Sequence, residues 1–97
     1  MAIDAVGVLE ADGYVPIFDA VDAMVKASQV DVRGTARLGG GIVAVTITGE
    51  LAAVEEAIAI GEETARALSK GNVKSIIFAS PSPPILEIAK YPDIIDG

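Results

Sequence analysis

The sequence predicts a two-layer α+β domain with the element order β-α-β-β-α-β, and three observations predict it. Four short segments rich in Val and Ile, "IDAVGVLE", "VDVRGTARL", "IVAVTIT" and "VKSIIFAS", are bounded by turn-forming residues. Two longer segments, one opening near Pro16 and one at Leu51, repeat their apolar residues at helical spacing. The middle two strand-like segments are joined only by the glycine triplet Gly39–Gly41, and so short a connection implies an antiparallel hairpin. This is the order of the ferredoxin-like class, a four-stranded antiparallel sheet with both helices on one face.

Each element has its own warrant. Ile3 to Glu10 reads as the first strand, ended by the turn-like "ADG". Pro16 suits the first turn of the following helix, where its missing N–H costs no hydrogen bond. Ile17, Ala20, Val21, Met24 and Ala27 then form one apolar face. From Val30 to Leu38 the pattern alternates, with Val30, Val32, Gly34, Ala36 and Leu38 against Asp31, Arg33, Thr35 and Arg37. That alternation predicts a strand with a single buried face. Ile42 to Thr48 is the third strand.

In the second helix Leu51, Val54, Ile58, Gly61, Ala65 and Leu68 share a face. Glu55 and Glu56 fall in its early turns and Arg66 and Lys70 late, as the helix dipole favours. Gly71 is placed to terminate it. Gly61 within a helix costs about 1 kcal/mol relative to Ala, and close packing of helix on sheet is the expected compensation. Val73 to Ser80 completes the sheet, "PSPP" ends it, and "PPILEIAKYP" predicts a short C-terminal tail helix. The chain reads as a single domain over residues 1–97, with its core in 3–80 and a tail over 81–97.

A chain of 97 residues can bury roughly two thirds of its unfolded surface. An apolar fraction of 52% with only 4% aromatic residues predicts a core of small aliphatic side chains. With no cysteine there is no disulfide framework and no thiolate metal site. A net charge of −7, with Lys and Arg scattered rather than clustered, argues against a nucleic-acid partner. No apolar run reaches the roughly 18 residues of a membrane span. The opening "MAIDAVGVLE" lacks the basic region of a secretory signal, so cytoplasm is the expected compartment.

Catalysis finds little to work with. There is no histidine to serve as a general base near neutral pH, and no thiol nucleophile. Carboxylates are plentiful, but Glu55, Glu56, Glu62 and Glu63 fall on the polar side of the second helix, as a solvated surface requires. Glu62 and Arg66 are spaced to pair locally. Asp19 and Asp22 could both face a metal from one helix, but no third ligand lies nearby in sequence. No catalytic residue, metal site or cofactor is expected.

Three features stay open. The glycine triplet is either a flexible hairpin turn or a backbone that must closely approach a phosphate, another subunit or a symmetry axis. It is not a P-loop, because no Lys-Ser/Thr follows it. Lys26 follows Asp22 by four residues, the spacing of a local helix pair. The apolar excess of so small an acidic domain predicts that some Ala, Val and Ile residues are hidden against other subunits. Fold class alone does not choose among these functions.

The segment "AVGVLEADGYVPIFDAVDAMVKASQVDV" resembles the opening of bacterial microcompartment shell proteins with a single BMC domain, most closely in "DAMVKASQV". "ARLGGGIVAVTITGELAAVEEAIAIGEETA" is similar to the family's next strand, pore loop, strand and second helix. The similarity runs over about residues 4 to 80. It implies homohexamers around a central pore. These would tile with neighbouring hexamers and other shell proteins into the wall of a cytoplasmic compartment, with cargo-enzyme targeting peptides as a further class of partner.

The resemblance also implies roles for particular residues. Arg37, Leu38, Gly39, Gly40 and Gly41 would line the pore, with Gly40 central where many relatives carry a small hydroxyl residue. Arg37, where relatives often have lysine, would give the pore a positive approach. Lys26 would lie at the hexamer edge, its stem on apolar surface and its ammonium on backbone carbonyls. Ser82, in "PSPP", stands where relatives commonly have an arginine, which removes one donor from that edge. The function so implied is structural, with passage of small polar metabolites and no enzymatic activity. The alternative is a ferredoxin-like metabolite-binding regulator holding an anion at the glycine loop.

Overall fold

The elements follow in the expected order: β1 (Ala5–Asp12), α1 (Tyr14–Ala27), β2 (Asp31–Gly39), β3 (Ile42–Gly49), α2 (Leu51–Leu68) and β4 (Lys74–Ala79). They belong to a computed structural model that describes residues 4–79. Ser82 and the tail helix expected after it lie outside the described residues. The four strands form one sheet in the order β2-β3-β1-β4, and every neighbouring pair is antiparallel.

Both helices pack on the sheet face that carries Ala5, Leu9, Ala11, Val43, Val45 and Ile47. α1 contributes Ile17, Ala20 and Met24 to this core, and α2 contributes Val54, Ala57, Ile58 and Ala65. Ala27, expected on the buried face of α1, is exposed. β3, between two strands, is buried along nearly its whole length, including Thr46 and Thr48 on the face away from the helices.

Two glycines set how closely the layers approach. A Cβ on Gly61 would lie 2.7 Å from Met24 Sδ and 3.1 Å from Leu9 Cδ2. The glycine in α2 therefore admits the other helix first and the sheet second, where helix-on-sheet packing alone was expected. Gly7, in the central strand β1, sits beneath α2, where a Cβ would meet Val54 Cγ1 at 2.9 Å. Gly61→Val is expected to destabilise the fold by about 1–3 kcal/mol through overpacking. Part of that loss should return in a Met24→Ala background, because the two side chains claim one space. Urea denaturation midpoints of the two single variants and the double variant check this; purely additive losses would count against the shared contact.

Three expectations need correction. The alternation of β2 does not bury one face continuously. Register shifts fall between Val32 and Gly34 and between Arg37 and Gly39, leaving Arg33 and Leu38 as extra residues. An extra residue switches the face that the following side chains occupy. Val32 therefore pairs with Ile47 on the helix side and Gly34 with Thr46 on the other, and Val32 remains 38% exposed at the sheet edge. Gly71 does not cap α2. The helix ends at Leu68 with Ser69 as its C-cap, whose N–H donates to Ala65 O at 2.8 Å. The Gly71 N–H instead donates to Ser69 Oγ at 3.2 Å. Finally, Lys70, expected late in α2, lies beyond its end at Leu68, so Arg66 alone is basic in the last turn, while Glu55 and Glu56 fall in the second turn.

Candidate functional site

The β2–β3 hairpin closes at the pair Gly39–Ile42, leaving Gly40 and Gly41 as a two-residue turn. Their φ angles are +62° and +83°, and positive φ at both central residues is what a type I′ turn demands. Gly39 also has a positive φ, +88°, directly after the extra residue Leu38. Among the described residues no heavy atom lies within 4 Å of the position a Cβ would take at any of the three. Glycine is needed here for backbone conformation, not to relieve crowding within the protomer. The bare turn is exposed.

An open cleft of about 530 Å³ lies beside the turn, lined by Gly13, Tyr14, Arg37, Gly39, Gly41, Ile42 and Val43. The sheet register builds it. β1 ends at Asp12 opposite Ile42, which sets Gly13 and the start of α1 next to the hairpin tip. Gly13 is the N-cap of α1 and offers no side-chain cap, so the first N–H groups of the helix are unsatisfied by it. Arg37, exposed and opposite Val43, supplies the cleft's positive charge. It makes no salt bridge among the described residues. Of the five loop residues proposed from the sequence, Arg37, Gly39 and Gly41 share this cleft. Leu38 is half-buried and does not line it, and Gly40 stands at the exposed tip. Gly13 and Tyr14 were not singled out from sequence; only the pairing of Asp12 with Ile42 reveals their place.

Lys26 occupies the other end of the domain. α1 starts beside the hairpin tip and runs back along β1, so its last turn lies toward the end of the sheet formed by Ala5, Gly49 and Ala79. Lys26 Nζ pairs with Asp22 Oδ2 at 2.9 Å, with both side chains largely exposed. Arg66 pairs with Glu62 at 2.8 Å in the same local way. Among the described residues no group of three or more His, Cys, Asp or Glu could hold a metal ion. Asp19 and Asp22 thus find no third ligand there. No described helix is long and apolar enough to cross a membrane.

The described residues form a ferredoxin-like α+β domain with a bare backbone turn at one end and an exposed lysine at the other. The BMC domain model matches residues 5–81, and the chain belongs to the BMC domain family. It is 39% identical over 77 residues to the carboxysome shell protein CsoS1 of Prochlorococcus marinus, covering 79% of this chain and 75% of that one. It is 37% identical over 71 residues to the carboxysome shell protein CcmK2 of Thermosynechococcus vestitus, covering 73% and 70% of the two chains. Among solved structures, a microcompartment protein from Desulfitobacterium hafniense superposes with a TM-score of 0.77 at 27% identity. That match covers 92% of this chain but 48% of the other, so the chain spans about half the length of that neighbour. Membership of this family assigns a structural, microcompartment-shell role rather than a catalytic one.

Proposed function

We propose that the chain forms homohexameric tiles of a microcompartment shell inside the cell, with the Gly39–Gly41 turns gathered around the central axis as the lining of a pore. One observation carries this reading: the glycine turn and Lys26 lie at opposite ends of one domain, with the sheet and helices between them. A ring needs such a polarity, one end for the axis and one for the rim.

At the axis, repeated copies of a turn without side chains leave an open passage. Their backbone N–H groups give it a weak preference for anions. Arg37 adds a ring of positive charge beside the turn in an otherwise acidic protein, which suits small polar or anionic metabolites. At the rim, Lys26 meets neighbouring tiles, other shell proteins included. Ser82 falls at the same edge in this reading and contributes one donor fewer than the family's arginine. Cargo-enzyme targeting peptides complete the set of partners.

Native mass spectrometry at micromolar concentration should show a hexamer, and electron microscopy should show hexagonal rings, sheets or tubes. A discrete monomer or dimer under both conditions would overturn the reading.

A further inference from the structure

α1 presents a second apolar stripe to solvent. Ile17, Ala20 and Met24 face the core, yet Tyr14 is 42%, Phe18 57% and Val25 45% exposed. Their spacing of four and seven residues, bridged by half-buried Val21, places them on one face of the helix. The rings of Tyr14 and Phe18 meet in a tilted pair, their centroids 5.3 Å apart. Half of the chain's four aromatic residues therefore sit on an outer helix face rather than in the core. A stripe this continuous marks an interaction surface.

Its extent selects the occupant. The stripe begins at Tyr14, in the cleft beside the glycine turn, and ends at Val25, next to Lys26. It therefore runs the whole way from the end assigned to the axis to the end assigned to the rim, as the flank shared by neighbouring protomers of a ring must. An added peptide strand is a poor alternative. The adjacent sheet edge is β2, interrupted by extra residues at Arg33 and Leu38, and bulges twist an edge away from further pairing.

Charge gives a second argument for another copy of the same chain. Arg33 Nε, on this flank, is buried without a hydrogen-bond partner among the described residues. α2, which packs over β1 and β4 on the opposite flank, carries Glu55, exposed and without a salt bridge among the described residues. Glu55 lies about 6 Å along α2 from the rim end, and Arg33 about 8 Å along the sheet from the same end. The two stand at matching radial levels on opposite flanks, the arrangement of a head-to-tail contact.

We propose that the Tyr14–Phe18–Val25 stripe of α1, with Val32 and Arg33 of β2 beside it, is the face on which the next protomer of the ring docks, and that Glu55 of that protomer meets Arg33. This rests on the hexamer reading above.

Phe18→Glu tests it, because the position is exposed and the isolated fold should keep its circular dichroism spectrum. Native mass spectrometry should show loss of the hexamer in Phe18→Glu and in Arg33→Glu, and its return in Arg33→Glu combined with Glu55→Arg. A hexameric wild type whose Phe18→Glu variant stays hexameric overturns the docking face and leaves the shell reading standing. A wild type that is not a hexamer overturns the shell reading itself. Should Phe18→Glu misfold, Phe18→Cys replaces it, since the chain has no other cysteine. Maleimide should label that thiol much more slowly in the ring than after dissociation, and equal rates would sink the assignment.

Discussion

In the proposed tile, Lys26→Asp should yield folded hexamers that no longer assemble into sheets. The fold should survive because the side chain is mostly outside it: the Lys26–Asp22 pair is 74% and 63% exposed, and such a pair is worth about 0.5 kcal/mol. Aspartate at this place also sets like charges four residues apart and puts a negative charge in the last turn of α1, each costing a few tenths to about 1 kcal/mol. The total, about 1–2 kcal/mol, is small against the 5–15 kcal/mol of a typical domain. Melting should fall by several degrees without loss of the native spectrum. Assembly is another matter. In the proposed edge contact two tiles would meet across a twofold axis, so that Lys26 faces its own copy, and a lysine that would donate to backbone carbonyls there becomes a carboxylate facing a carboxylate and the same carbonyls. Lys26→Gln separates the lost donor from the added repulsion, and sheets in electron micrographs should be weakened in Gln and absent in Asp. Unaltered sheets in Lys26→Asp would leave Lys26 as nothing more than the partner of Asp22.

Much of this molecule was legible because its local signals agree with one another. Periodicity placed both helices, the Val-rich segments placed all four strands, and the short glycine connection placed the hairpin. The local pairs Asp22–Lys26 and Glu62–Arg66 follow from spacing alone and are present. What was illegible depends on register. Alternation in β2 suggests one buried face, but nothing in "VDVRGTARL" announces that Arg33 and Leu38 are extra residues; the partner strand decides that. For the same reason the sequence could not show that Tyr14 shares a cleft with Arg37 and Gly39, which are distant along the chain and joined through the pairing of β1 with β3. Gly61 was recognisable as a close approach but not as the seat of Met24, because a glycine in a helix names no neighbour. The glycine turn shows a further limit. Positive φ accounts for glycine at all three positions, and the open space around them shows that crowding by the described residues does not.

At that turn, Gly40→Asp should sharply reduce anion passage while Gly40→Asn leaves it close to wild type. Gly40 has φ +62°, a conformation that Asn and Asp visit more readily than other side chains, and no described atom lies within 4 Å of its Cβ position. Both variants should therefore keep the turn, and they differ in charge while nearly matching in size. Around a sixfold axis the single change is repeated in every protomer. The six carboxylates of the Asp ring would stand in a confined, partly desolvated passage, where charges interact far more strongly than in bulk water. They would oppose the positive approach supplied by Arg37 and repel one another, weakening the ring as well as the flux. Gly40→Leu acts differently. It forces a bulky side chain into positive φ at a cost of about 1–2 kcal/mol and lines the passage with apolar surface, slowing every polar solute regardless of charge. Gly40→Ala carries a comparable backbone cost with the least obstruction, and so separates strain from blockage. Chloride conductance across a planar bilayer, measured beside a neutral polar solute in reconstituted shells, distinguishes these effects. Asp should discriminate against the anion alone, Leu against both solutes, and Asn and Ala against neither. Equal flux of both solutes in all five proteins, with hexamers intact, would mean that Gly39, Gly40 and Gly41 serve only to turn the chain.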